Sequence, residues 1–133
     1  QTYSPEESAL RCVVTHDYET FYAEECPGRK ELGYPPWGRL ARIVVSGKVE
    51  HEVASTADRI ARRITATGGS GVRVLGPSPA VLERIAGESR YTVLVKAATP
   101  GTIGRMLKPF PAVKRPRSTG PAVVIDVDPV NML

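Results

Sequence analysis

Cysteine and long hydrophobic runs are scarce in this sequence, and each absence excludes a class of protein. Two cysteines, Cys12 and Cys26, are too few for the disulfide framework of a small secreted domain. No run approaches the ~20 apolar residues of a membrane-spanning helix, and the polar start "QTYSPEES" lacks the apolar stretch of a signal peptide. We therefore expect a cytoplasmic protein with no membrane partner. Because residue 1 is glutamine rather than methionine, we also expect a piece of a longer protein.

Acidic residues are absent from one long stretch, between Glu88 and Asp126. This stretch, called the acid-free window below, contains the cations Arg90, Lys96, Arg105, Lys108, Lys114, Arg115 and Arg117. By contrast, residues 1–26 hold six acids and one cation. A field of one sign attracts polyanions, so the window predicts a DNA-binding surface. A solvated surface, or a basic loop that docks on an acidic partner, is the alternative.

The first 26 residues predict an acidic helical segment. The stretch 4–7, "SPEE", offers an N-cap, a proline at the first helical position and a capping-box glutamate. A pause is expected near His16 and Asp17. The helix should end or kink at Pro27-Gly28, because proline removes a helical hydrogen bond. Residues 27–36 would then form a hinge.

The remaining 107 residues of the 133 alternate strand and helix patterns around one predicted core. The predicted elements are a strand at 38–46, a helix at 48–67 with the buried stripe Val49, Val53, Ala57, Ile60 and Ile64, a short strand at 72–75 ended by "GPSPA", a strand at 89–98, a helix opened by Thr99-Pro100 that buries Ile103, Met106, Leu107 and Phe110, and a strand at 122–128. This order, β-α-β-β-α-β, predicts an α+β, ferredoxin-like domain preceded by a short helical segment. Within the third strand, alternation places Val93 and Val95 on one face and Arg90 and Lys96 on the other.

A stiff aromatic corner, "GYPPWG", precedes the first strand. Two adjacent prolines are expected to fix an extended corner there. Tyr34 and Trp37 flank these prolines, and we favour packing of both rings against the corner or a neighbouring domain. Stacking on nucleic-acid bases remains the alternative, since aromatic contacts of that kind are common on sheets of this topology.

Motifs for catalysis or metal binding fail on inspection. Residues 71–78, "GVRVLGPS", have the outer spacing of a phosphate loop, but proline stands where the loop needs lysine. Cys12 and His16 share a helical face without further ligands near in sequence. Asp126 and Asp128 alternate on one strand, where a turn cap explains the second carboxylate better than a metal pair does. We therefore predict no catalytic residue, metal site or cofactor in this chain.

Four short strings, in order, resemble one known family. They are "ELGYPPWGRL" (31–40), "VLGPSPA" (74–80), "ERIAGESRY" (83–91) and "IDVDPVNML" (125–133). The chain resembles, over essentially its whole length, the C-terminal domain family of primosomal protein N′, the replication-restart helicase PriA. The opening "QTYSPE" and "HDYETFYAEE" (16–25) are similar to that family's exit from its second motor lobe. Two departures are Pro27-Gly28, where the family usually continues a helix, and Thr92, where it often has glutamine.

The resemblance implies that the chain is part of a larger machine. Residues 1–30 would be the end of the second motor lobe with a linker helix, and residues 31–133 the C-terminal domain. The parent family is an ATP-dependent 3′-to-5′ DNA helicase that recognises abandoned replication forks, so ATP, Mg and Zn are implied for the parent only. The implied partners are branched and single-stranded DNA, single-stranded-DNA-binding protein, other primosome proteins and the parent's remaining domains. The implied location is the cytoplasm, in association with the nucleoid.

Three functions remain open at this point. The leading one is a DNA-binding accessory domain of a replication-restart helicase that promotes primosome assembly at stalled forks. A second is a docking domain for the acidic tail of single-stranded-DNA-binding protein. A third is a small-molecule regulatory module, since the same strand order serves such domains, but the acid-free window argues against it.

The failed motifs generate a prediction about chemistry. The isolated chain should neither hydrolyse ATP nor retain zinc after dialysis, because it lacks a phosphate loop and a four-ligand zinc set. A phosphate-release assay and elemental analysis measure the two properties. Stoichiometric zinc would overturn the prediction.

Overall fold

The computed structural model describes residues 2–110 and 120–130 of the chain. In chain order the elements are α1 (Ser8–Thr15), α2 (Tyr18–Leu32), β1 (Arg39–Gly47), α3 (Glu50–Gly68), β2 (Val72–Ile85), β3 (Glu88–Ala97), α4 (Pro100–Leu107) and β4 (Ala122–Val127), with a single 3-10 turn between α3 and β2. No helix in these ranges combines the length and the apolar character that crossing a bilayer requires.

The four strands form one antiparallel sheet in the order β2-β3-β1-β4. Helices α3 and α4 pack on one face of it, which confirms the predicted ferredoxin-like α+β fold. Inward side chains alternate along the two central strands, for example Ile43 and Val45 on β1 and Val93 and Val95 on β3, all fully buried. Burying each such side chain stabilises the fold by roughly 1.5–3 kcal/mol. The sheet and the two helices therefore share a single core.

Both core helices follow the predicted periodicity closely. In α3 the buried side chains are Val53, Ala57, Ile60, Ala61 and Ile64. In α4, Ile103 and Leu107 are buried, and Met106 and Phe110 pack partly against the same cluster. Thr99 caps α4, as predicted, by accepting a hydrogen bond from the Thr102 N–H.

The expectation for Val49 was wrong, since it is 42% exposed. This residue is the N-cap of α3 and has extended backbone angles, so the helical repeat does not yet apply to it.

The pause predicted near His16 is confirmed and has a clear cause. His16 adopts a left-handed backbone conformation (φ 55°) and ends α1. The Asp17 carboxylate then caps α2 by accepting hydrogen bonds from the Thr20 N–H (3.0 Å) and hydroxyl (2.7 Å). Those two bonds hold the pKa of Asp17 below its ordinary value, because they favour the ionised form.

The helix start predicted at Ser4 was wrong, because α1 begins only at Ser8. The Ser4 carbonyl instead accepts a hydrogen bond from the Glu7 N–H at 3.2 Å, which closes a separate turn ahead of the helix.

The helix end predicted at Pro27-Gly28 was also wrong. Helix α2 continues through Pro27 to Leu32, so the predicted hinge at 27–36 begins only at Gly33. Proline removes the hydrogen bond to the carbonyl of Ala23. Because Ala23 is exposed, water can donate a hydrogen bond to that carbonyl instead. An Arg29–Glu25 ion pair at 2.8 Å spans the same turn and helps to hold it.

The second strand is much longer than predicted. Strand β2 continues past residues 76–80, "GPSPA", to Ile85, and its register against β3 shifts twice on the way. Proline is tolerated because β2 is an edge strand, where a missing N–H breaks no ladder bond on the free side. The tight turn Ala86-Gly87, with φ of 51° and 78°, then closes a hairpin of the primed type.

The extent of α2 generates a prediction with an internal control. Gly28→Ala should stabilise the helix by about 1 kcal/mol, since Gly28 is helical and a Cβ there meets no atom within 4 Å. Gly33→Ala should instead cost roughly 1–2 kcal/mol, because Gly33 has φ +63°. Urea unfolding followed by helical circular dichroism measures both. Changes of the same sign in the two variants would contradict a helix that ends at Gly33.

Candidate nucleic-acid interface

The sheet face opposite to α3 and α4 collects cations from three strands. Alternation points Arg42, Arg73, Arg90 and Lys96 away from the core, and the strand register places Arg73 directly beside Lys96. Apolar side chains lie among these cations: Val44, Leu75, Leu94 and Val124. Leu75 and Val124 are 41% and 56% exposed. We call these eight residues the outer sheet face.

Arg73 is a member of this face that the sequence analysis missed. Arg73 lies before the acid-free window, and Glu83 and Glu88 separate it from the window in sequence. The available signal was the alternation in "VRVL", because Val72 and Val74 pack against the core and Arg73 must then point away. Arg73 is exposed, and no side-chain hydrogen bond or ion pair to it is found within residues 2–110 and 120–130.

Lys96 lies on the outer sheet face as predicted, but its ammonium group is already engaged. Its Nζ atom donates a hydrogen bond to the Leu32 carbonyl at 3.2 Å and lies 3.8 Å from the centroid of the Tyr34 ring. The carbonyl belongs to the last residue of α2, where the helix dipole favours a cation. Lys96 therefore fastens the end of α2 and the aromatic corner to the sheet.

Arg90 holds a bulge in the neighbouring edge strand. Pro79 pairs with Tyr91 and Arg84 pairs with Ser89, so residues 80–83 stand opposite Arg90 alone. The guanidinium reaches back and donates a hydrogen bond from Nη1 to the Leu82 carbonyl at 3.3 Å. Because arginine carries five N–H donors, this one bond leaves others for a ligand.

The acid-free window divides between two sides of the fold. Arg90 and Lys96 lie on the outer sheet face, whereas Arg105 and Lys108 lie on or at the end of α4, which packs on the opposite face. The structure therefore does not bring these four cations together. The other three predicted contacts, Lys114, Arg115 and Arg117, lie outside the described residues.

Two carboxylates lower the positive charge here: Asp126, which lies on β4 and on the outer sheet face itself, and Asp128, which follows the end of β4. Asp126 is the cross-strand neighbour of Arg42, with Oδ2 at 4.0 Å from Nη2. Asp128 forms an ion pair with Arg39 and accepts a hydrogen bond from the Leu40 N–H at 3.1 Å. Within the described part of the chain, no group of three His, Cys, Asp or Glu residues could hold a metal ion. Both aspartates therefore interact with β1: Asp126 with Arg42, and Asp128 with Arg39 and the Leu40 N–H.

The aromatic corner is a closed turn rather than the extended corner that was expected. The Trp37 N–H donates to the Tyr34 carbonyl at 3.0 Å, and the Pro35-Pro36 bond is cis. A Cβ at Gly38 would lie 2.2 Å from the Gly33 carbonyl oxygen, so only glycine allows this approach. Tyr34 is half-buried beside Lys96, whereas Trp37 is 38% exposed.

The contacts of Lys96 generate a stability prediction. Lys96→Met keeps most of the aliphatic stem but removes the ammonium group, so the free energy of unfolding should fall by about 1–2 kcal/mol. Arg73→Met is the matched control on the adjacent strand and should change it by less than about 0.5 kcal/mol. Denaturant unfolding measures both. Equal values for the two variants would mean that the bond to Leu32 contributes nothing.

Comparisons with known proteins place this geometry in a family. The family model described as "Primosomal protein N C-terminal domain" matches residues 30–130. The chain is 37% identical over 108 residues to the replication restart protein PriA of Bacillus subtilis, and the match covers 81% of this chain and 13% of the relative. It is 36% identical to the Synechocystis protein of the same name, with 99% and 16% covered. For the Treponema pallidum protein the identity is 34%, with 100% and 20% covered.

One solved structure supports the fold alone. The de novo designed protein Foldit4 superposes with a TM-score of 0.51 at 16% identity, covering 68% of this chain and 94% of the design.

The chain spans 13–20% of the length of the three PriA proteins named above.

Proposed function

We propose that this chain, which belongs to the primosomal protein N C-terminal domain family, is the DNA-binding accessory domain of a replication-restart helicase. In this proposal the parent protein recognises stalled or abandoned forks and promotes primosome assembly. The domain contributes part of the parent's affinity for DNA. The relatives carry the name "replication restart protein". The proposal extends the role in replication restart to the parent of this chain, and it assigns DNA binding to the domain.

The observation that carries the proposal is the outer sheet face. Arg73, Arg90 and Lys96 come from two adjacent strands, so their heads can follow the phosphates of a strand laid across the sheet. The half-exposed Leu75 and Val124 offer apolar contact to sugars and bases. Phosphate contacts of this type carry no sequence information, so binding should be weak, nearly independent of sequence and sensitive to salt.

A second candidate follows from the same face. An acidic tail with apolar side chains would find both a cation and an apolar neighbour in Arg73 and Leu75, which are two residues apart on the same side of β2. The tail of single-stranded-DNA-binding protein is the partner proposed for this case. DNA and tail peptide would then compete, because they would use the same guanidinium groups.

The remaining assignments concern the parent protein. We assign ATP, Mg and Zn to parts of the parent outside this chain, and a cytoplasmic, nucleoid-associated location to the whole. Residues 1–30 are proposed to pack against the second motor lobe. Support comes from α1, where Val13 and Val14 are 65% and 81% exposed, and from α2, where Tyr18 is 70% exposed. Apolar surface of this kind marks a protein contact.

The outer sheet face generates a binding prediction. The double variant Arg73→Gln/Arg90→Gln should weaken binding to a forked duplex and lower the slope of log K against log salt by about 2. Arg29→Gln/Arg62→Gln is the control, because it removes the same charge from two arginines that are already paired with acids. Its slope should stay within about 0.5 of wild type. Fluorescence anisotropy at several salt concentrations measures the slopes.

Two outcomes separate the candidates, and one further variant extends the test. Equal losses from both double variants would show that only net charge matters, and the localised interface would be abandoned. Loss of binding to an acidic tail peptide with DNA binding intact would promote the docking function. Reversal of Lys114, Arg115 and Arg117 to glutamate, as a separate variant, tests whether these three residues add further phosphate contacts, worth roughly two to three units of slope.

A further inference from the structure

The helix side of the molecule carries a second basic surface. The second half of α3, from residue 56, and α4 with Lys108 contain five cations and one acid, Asp58. The cations are Arg59, Arg62, Arg63, Arg105 and Lys108, and all five are exposed. Asp58 is paired with Arg62 at 2.9 Å, so the other four cations are not opposed by a carboxylate on these segments.

Two contacts show how α3 and α4 lie beside each other. The Arg63 guanidinium stands 5.3 Å above the centroid of the Phe110 ring, and the Thr67 hydroxyl lies 3.7 Å from the Met106 sulfur. Thr67 follows Arg63 by four residues on α3, whereas its partner Met106 precedes Phe110 by four residues on the other segment. The two segments therefore run antiparallel. Arg63 is therefore held at the seam between them by an aromatic ring.

The flanking arginines are held along their own helices. Arg59 donates to the Thr56 hydroxyl at 3.3 Å, and Arg105 donates to the Thr102 hydroxyl at 3.4 Å. Arg59 lies one helical turn before Arg63, so both project from the α4 side of α3. Helical spacing places Arg105 away from the buried Ile103 and Leu107. We call Arg59, Arg63 and Arg105 the helix-side triad.

The triad and the outer sheet face are on opposite sides of the domain. A helix about 10–12 Å in diameter and the sheet itself lie between them. The exposed charged groups on the two surfaces are thus farther apart than the Debye length of about 8 Å at physiological salt, so salt in the surrounding solvent screens most of their mutual repulsion. A single stretch of sugar-phosphate backbone that contacts one of these surfaces is directed away from the other.

From this arrangement we infer that one copy of the domain binds two phosphodiester segments at once, one on the outer sheet face and one on the helix-side triad. The inference rests on the proposed DNA binding and adds a second site to it. The chemistry that selects the second ligand is charge complementarity between guanidinium groups and phosphates. Two arms of one branched DNA, held on opposite sides of the domain, would satisfy both surfaces.

A bridging experiment tests the inference. The intact chain is mixed with two short duplexes, one carrying a donor dye and the other an acceptor, and energy transfer reports both duplexes in one complex. Wild type should give transfer that disappears when DNA is in large excess. Arg59→Gln/Arg105→Gln should reduce transfer at least fivefold while binding of a single duplex changes less than about threefold. Arg29→Gln/Arg84→Gln, which removes equal charge from two ion-paired arginines outside α3 and α4, should leave transfer unchanged.

Each other outcome is decisive. Duplex binding without energy transfer would overturn the second site and leave the proposed function standing. Absence of any duplex binding by wild type would overturn the proposed function itself. Sedimentation gives the mass of the bridged complex, and two copies of the chain in it would mean that dimerisation, rather than two faces, joins the duplexes. Full transfer by Arg59→Gln/Arg105→Gln would likewise overturn the assignment to the triad.

Discussion

The packing of two helices against only one face of an antiparallel sheet is the constraint on which the rest of the structure depends. Side chains on β1 and β3 alternate, so burial of Ile43 and Val93 on the helix side forces their neighbours to the other side. A register slip by one residue would move every cation of the outer sheet face into the core. The desolvation of those charges would cost far more than any contact they make. The apolar core thus fixes where the basic groups stand.

The same constraint explains which features the sequence could predict. Periodicity identified α3, α4 and the alternation in β3, because burial against a shared core demands those repeats. It failed for α2, because Pro27 and exposed Ala23 form no part of that core and the helix depends on its caps instead. It failed for β2 because the edge position tolerates prolines that a central strand would reject. Local signals therefore predicted the elements that the core selects.

The candidate interface was harder to predict than the fold, for a geometric reason. The acid-free window is a property of distance along the chain, whereas a field depends on distance in space. Arg73 was omitted although it is the cross-strand neighbour of Lys96, and Asp126 lies against Arg42 although it ends the window. Arg105 was included although α4 packs on the opposite face. Strand register supplies the missing information, and only the assembled sheet defines it.

On the outer sheet face, Arg90 and Lys96 differ from Arg73 because a hydrogen bond already holds each of their side chains. Arg90 and Lys96 are each held by a backbone carbonyl, of Leu82 and of Leu32. In the proposed complex, a long side chain that is already ordered would lose little further rotamer entropy on binding a phosphate, whereas Arg73 would have to be ordered at that step. Lys96 has a further constraint, because a phosphate bound to its ammonium group would compete with the end of α2 and with the Tyr34 ring. A ligand of the proposed kind would therefore act on the attachment of the helical segment as well as on the sheet. Arg90 lacks that conflict, since its remaining donors can bind while one continues to hold the bulge.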